Sequence, residues 1–216
     1  VLSLLGVVMV AGSMSLADVV DAQTVPFLLV QPMALFVFLA GTSAELNRTP
    51  FDVAEAEAEV IAGFHIEYSG VKFALIQAAE FGGTLVAAAL VVTFFLSGWS
   101  GPASSYIGWF WFLLKLFAVI FVFIWVRATY PRLRIDQLMA LAWKFLLPLS
   151  MINLLATTLE VYFFRSDAGT LSNGDLWIMS GINLALTVVS IGLFGNMIRE
   201  KVSPVAWPRP AAAGTP

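Results

Sequence analysis

Residues 108–126, GWFWFLLKLFAVIFVFIWV, hold one ionisable side chain in nineteen positions, Lys115. A helix through them rises about 28 Å, close to the ~30 Å hydrocarbon layer of a bilayer. Comparable apolar runs fall at about 1–17, 27–45, 72–97, 139–161 and 176–198. They are continuous and too long for the ~10-residue alternating strands of a transmembrane barrel. The chain is therefore expected to be all-α, a polytopic integral membrane protein with about six transmembrane helices. At 60% hydrophobic and 12% charged residues, with a mean hydropathy of +0.90, the composition lies outside the range of water-soluble single-core domains.

Basic residues set the expected orientation. Nine of the eleven, Arg48, Lys72, Arg127, Arg132, Arg134, Lys144, Arg199, Lys201 and Arg209, fall on the connections after the second and fourth runs or on the C-terminal tail. Only Arg165 falls on the opposite connections, so the nine-residue side is expected to be cytoplasmic. Residues 1–198 then form one membrane domain, with an acidic cytoplasmic connection at 46–71 and a basic one at 127–138. Residues 199–216, rich in Pro and Ala, read as a disordered cytoplasmic tail. Trp99, Trp109, Trp111, Trp143 and Trp177 lie near the ends of the runs, where indole favours the headgroup boundary. Val1 opens within an apolar run, and the chain is expected to lack an N-terminal part of the natural protein.

The chain has no cysteine, which removes disulfides and thiolate-held metal clusters from its own chemistry. The lone His65 is a weak metal signal, and no metal site is expected. Pro32 and Pro148 lie within apolar runs and are expected to kink them.

The segment AELNRTPFDVAEAEAEVIAGFHIEYSG, residues 44–70, holds six of the fourteen acidic residues: Glu45, Asp52, Glu55, Glu57, Glu59 and Glu67. Thr49-Pro50 and Asp52 offer a helix start, and Glu55 and Glu59 then share a face at i, i+4. One reading is a solvated acidic loop. The other is a polar funnel wall at the membrane surface, because Val60-Ile61-Ala62-Gly63-Phe64 follows at once. Burial and mutual repulsion there would favour proton exchange.

Two ionisable residues lie deeper. Glu80 is about 12 Å and Lys115 about 18 Å from the cytoplasmic boundary on helical rise. Each needs a partner or water, and neighbouring antiparallel helices could pair the two. A structural ion pair and a proton route both remain open for them. Gln77, Glu80 and Thr84 share one face. Glu45 and Glu160 close apolar runs; Glu160 is expected to snorkel to the interface.

AELNRTPFDVAEAEAEVIAGFHIEYSGVKFALIQAAEF and WVRATYPRLRIDQLMALAWKFLLPL resemble, in that order, the two signature segments of the heel subunit of respiratory complex I, the quinone-chamber membrane subunit of bacterial NADH:quinone oxidoreductase. The likeness runs from Val1 to about residue 160, with Leu46 where that family often has Thr and Ala54 where it often has Pro. The family chain is longer, and one of its intramembrane glutamates would fall just before Val1.

The resemblance implies a subunit that forms a quinone chamber together with hydrophilic partners carrying iron–sulfur clusters, and that couples quinone reduction to proton movement. Glu45 and Glu80 match the family's intramembrane glutamates, with Lys115 as a further candidate on the proton route. Asp52, Glu55, Glu57, Glu59 and Glu67 match the acidic loop beside the chamber, and Arg48 a position suited to pair with that acid. Arg127, Arg132, Arg134 and Asp136 match the second cytoplasmic loop. The implied partners are iron–sulfur and quinone-chamber subunits, other membrane-arm subunits, membrane quinone and lipid in a bacterial inner membrane. No cofactor bound by this chain alone and no nucleic acid are expected. A membrane subunit of an energy-converting hydrogenase or related dehydrogenase is the nearest alternative; a stand-alone proton-coupled transporter is a different class.

Overall fold

A computed structural model describes residues 1–46, 48, 50–51, 70–102, 104–131, 133, 135–164 and 172–201. The described residues fold as α1 (Leu2–Ala11), α2 (Leu16–Ala22), α3 (Phe27–Val30), α4 (Pro32–Glu45), α5 (Val71–Phe95), α6 (Ser104–Thr129), α7 (Ile135–Leu141), a π-helical turn (Ala142–Leu146), α8 (Leu147–Phe164) and α9 (Asn173–Lys201). Asp52, Glu55, Glu57, Glu59, His65, Glu67, Arg132, Arg134 and Arg165 lie outside the described residues.

Among the described residues four helices are long and apolar enough to cross a membrane: Val71–Phe95, Tyr106–Thr129, Ile135–Phe164 and Asn173–Gly192. A fifth crossing arises if α1 and α2, bent by 65°, act as one. The all-helical membrane fold is as expected, and the first two of the six apolar runs are each interrupted by a break. Gly12, at φ 73°, ends α1 in the left-handed conformation glycine adopts at little cost. Gln31, at φ −133° and ψ 63°, leaves the helical region because it precedes a proline. Pro32 therefore starts α4, which is 14 residues long, rather than kinking a longer helix. Pro148 lies just after the π-helical turn, where its missing N–H removes one rung of the ladder without ending the helix.

Phe117, Phe121 and Trp125 on α6, Leu155 and Leu159 on α8, and Val188 on α9 are exposed. Such a surface is unfavourable in water and natural against lipid. Inside, α1 packs along α8, α4 sits between α1, α8 and α9, and α5 pairs with α6. Val7, Val30, Ala34, Ala88, Val92 and Phe95 form the centre.

Hydrogen bonds between loops sort the connections onto two faces. Leu133 N–H donates to the Pro50 carbonyl (2.9 Å), joining the segments after α4 and α6. At the opposite face Thr24 Oγ1 meets Asn173 Oδ1 (2.7 Å), and Gln23 Nε2 donates to the Thr93 carbonyl (2.8 Å). Arg127 falls in the last turn of α6 and Asp136 in the first turn of α7, so the connection between these helices narrows to 130–134. Helix α9 runs to Lys201, into the expected tail.

Candidate functional site

A cleft of about 260 Å³ opens between the end of α4, α5 and α6. Phe81, Leu85, Ile120, Phe123, Ile124 and Val126 make it apolar; Ser43, Thr84, Arg48 and Arg127 supply its polar groups. The chain after α4 folds back to place Arg48: its N–H donates to the Ser43 carbonyl (3.1 Å), and Phe51 N–H donates to the Arg48 carbonyl (2.8 Å). The guanidinium carbon lies 4.8 Å from the centre of the Phe81 ring, within cation–π range. Arg48 Nε and Nη2 are shielded from solvent and have no hydrogen-bond partner among the described residues. Donors so placed in an apolar wall suit an acceptor such as a carbonyl oxygen on an otherwise apolar molecule.

Glu80 precedes Phe81 on α5, and its backbone carbonyl accepts a bond from Thr84 Oγ1 (3.1 Å). Gln77, Glu80 and Thr84 are all less exposed than Ala78, Ala79 and Phe81, so the face they were expected to share turns toward protein. Glu80 Oε2 is shielded from solvent. Glu45 closes α4 as expected, but it lies in a second cleft, of about 430 Å³, with Ser3, Thr42, Gly41 and Ser150. Thus Arg48 and Arg127 share one cleft, Glu80 flanks it, and Glu45 lines another. Asp136 is exposed and lines neither cleft.

Lys115 is not where pairing with Glu80 would put it. Its Nζ donates to the carbonyls of Leu96 (2.7 Å), Gly98 (3.1 Å) and Ser100 (2.7 Å), just past the end of α5. Leu96 is sixteen residues beyond Glu80, about 24 Å along the helix axis. The reason is local: Ser97 (φ 55°) and Gly98 (φ 47°) turn the chain left-handed and leave carbonyls pointing outward, where a cation is favourable. Gln23 Oε1 accepts from Ser97 N–H (2.8 Å), and a Cβ at Gly98 would stand 2.8 Å from Val20 Cγ2. Lys115→Met is expected to cost about 1–3 kcal/mol through three stranded carbonyls, read as a lower thermal midpoint in detergent. An unchanged midpoint would assign the cap to other groups.

Glu160 departs from expectation more sharply. It does not snorkel; it is 6% exposed, and Oε2 accepts a bond from Asn183 Nδ2 (2.8 Å). Its place on α8 explains this, since Leu149, Ser150, Asn153, Thr157, Glu160 and Val161 form the buried face of that helix.

A bundle of apolar helices with a lipid-facing exterior, and an apolar cleft that carries Arg48 and Arg127, defines a polytopic membrane protein. The sequence profile described as NADH dehydrogenase matches residues 1–158, and the chain belongs to that family.

Among its relatives, the NADH-quinone oxidoreductase H subunit of Dehalococcoides mccartyi (strain CBDB1) is 49% identical over 199 residues, 92% of this chain and 54% of the relative. The protein of the same name from Geobacillus kaustophilus is 52% identical over 170 residues, 76% of this chain and 50% of the relative. That of Carboxydothermus hydrogenoformans is 44% identical over 168 residues, 76% of this chain and 48% of the relative. The chain thus spans about half the length of the curated relatives it matches.

Proposed function

We propose that this chain is the membrane wall of the quinone chamber in a proton-translocating NADH:quinone oxidoreductase. The observation that carries the reading is the Arg48 cleft: an apolar slot for a ring and tail, with guanidinium donors at its polar end. Quinone takes two electrons from an iron–sulfur cluster of a partner subunit and two protons, and leaves as quinol. No residue of this chain carries electrons. Glu80, beside the cleft, and Glu45, in its neighbour, are the carboxylates placed to pass the change in protonation into the bundle. Lys115, engaged at the far end of α5, positions that end. The acidic residues Asp52, Glu55, Glu57, Glu59 and Glu67 continue the chain directly from the cleft's Arg48 rim and supply protons at the chamber; Arg132 and Arg134 belong to the second connection on the same side, and Arg127 and Asp136 to the helix turns that flank it. Hydrophilic iron–sulfur subunits and other membrane-arm subunits are the partners, in a bacterial inner membrane.

Replacing Glu55, Glu57 and Glu59 together by Gln is expected to lower turnover with a short-chain quinone by about tenfold or more while the complex still assembles. Wild-type turnover would return the segment to a solvated loop.

The basic asymmetry supports a cytoplasmic side for the connections that follow α4 and α6. A cysteine at Ala54 should resist a membrane-impermeant thiol reagent added to intact cells, and one at Ser172 should react. Inverted labelling would overturn the orientation.

A further inference from the structure

The buried face of α8 carries a line of polar side chains that the cleft chemistry does not use. Ser150, Asn153, Thr157 and Glu160 are 4%, 1%, 0% and 6% exposed. Their spacing of three, four and three residues stacks them on one side of the helix over about 15 Å. Ser150 lines the same cleft as Glu45, so the line starts there and runs toward the opposite face.

Two side chains from other helices complete it. Gln31, 1% exposed at the break between α3 and α4, donates through Nε2 to the Gly6 carbonyl (3.3 Å) and Thr157 Oγ1 (3.4 Å). Asn183 of α9, also 1% exposed, donates to Glu160.

The line is only partly satisfied by protein. Gln31 Oε1, Asn153 Oδ1, Asn153 Nδ2 and Glu160 Oε1 are buried without a hydrogen-bond partner among the described residues. Four such atoms along one strip are rare in a folded protein unless water reaches them. Gly6 keeps α1 out of the strip: a Cβ there would stand 3.2 Å from Gln31 Oε1, 3.3 Å from Asn153 Nδ2 and 3.5 Å from Thr157 Oγ1. Nor does a cation answer Glu160 among the described residues. Helices α1, α3 and α4 carry no basic residue; α9 carries basic residues only at Arg199 and Lys201, sixteen and eighteen positions past Asn183. The other charged groups on these elements are Glu45, in the cleft at the far end of the line, Asp175, which accepts from Ser172 N–H (3.1 Å) at the start of α9, and Glu200, seventeen positions past Asn183. A carboxyl so placed needs water or a proton as its companion.

We propose that this strip binds a file of water molecules that connects the Glu45 cleft to Glu160, and that Glu160 exchanges its proton through that file. The file stands apart from the quinone reading, because it needs only water and a carboxyl.

The experiment is infrared spectroscopy of the purified complex on transfer from ordinary to deuterated water. The carboxyl band assigned to Glu160 by its loss in Glu160→Gln should shift to lower frequency before the backbone amides of the helices exchange. Asn153→Leu, close in size but without either polar atom, should slow that shift at least tenfold; Gly6→Ala, which fills the strip from α1, should slow it also. A Glu160 band that shifts only with the slowest amides, or at the wild-type rate in both Asn153→Leu and Gly6→Ala, overturns the file. So does a spectrum that Glu160→Gln leaves unchanged. Quinone turnover measured on the same samples reports separately on the cleft.

Discussion

Glu80→Gln is expected to reduce quinone-driven proton uptake in proteoliposomes by an order of magnitude or more, with the complex still assembled on native gels. Gln keeps the shape and most hydrogen bonding of Glu but cannot ionise, so only a step that needs a titrating group is lost. A tenfold fall corresponds to about 1.4 kcal/mol in the barrier, a modest demand on a group beside the reaction. The structure adds a sharper requirement. Since Lys115 is held by the Leu96, Gly98 and Ser100 carbonyls about 24 Å away along the helix, its substitution should act independently of Glu80. Glu80→Gln and Lys115→Met should therefore add in a double-mutant cycle to within about 0.5 kcal/mol. Rescue of stability in the double variant would restore the ion pair that the carbonyl contacts exclude. Full proton uptake in Glu80→Gln would remove this carboxylate from the route.

The second large effect is expected at Arg48. Arg48→Met keeps apolar contact with Phe81 but removes the guanidinium donors. Hydrogen bonds to a charged group contribute about 1.5–3 kcal/mol, so kcat/KM for a short-chain quinone should fall roughly 10- to 150-fold. Arg48→Lys, which retains the charge without the planar fork, should fall between the two. Spectra of the iron–sulfur clusters should be unaltered in both variants, because on the proposed reading the change is confined to the substrate's end of the electron path. Unchanged kcat/KM in Arg48→Met would mean that the cleft does not receive the quinone.

The length of the apolar runs was enough to read the class and the four long helices, since a run such as 108–126 has only one way to cover its backbone in a bilayer. The first two runs misled because hydropathy is blind to backbone: Gly12 and the Gln31-Pro32 step interrupt helices without lowering apolarity. Glu80's protein-facing position was legible from its shared face with Gln77 and Thr84. Lys115 was misplaced for a physical reason. Its partners are backbone carbonyls exposed by the left-handed turn at Ser97 and Gly98, and neither that turn nor the packing of α5 on α6 can be counted from helical rise. Glu160 was misread from its place near the end of a run. The signal that could have shown its burial was present in the polar series Ser150, Asn153, Thr157 and Glu160, whose spacing marks one helix face. Gln31 and Asn183 carried no such pattern, as their partners are distant in sequence.

Photolabelling tests the central reading most directly. The assembled complex is illuminated with a photoreactive short-chain quinone during turnover, and the adducts on this chain are mapped by mass spectrometry. Adducts are expected on Phe81–Leu85 and Ile120–Arg127, the two walls of the Arg48 cleft, and should disappear when excess native quinone competes. Competable labelling of the partner subunits, with these two segments unmodified, would contradict the assignment of the cleft.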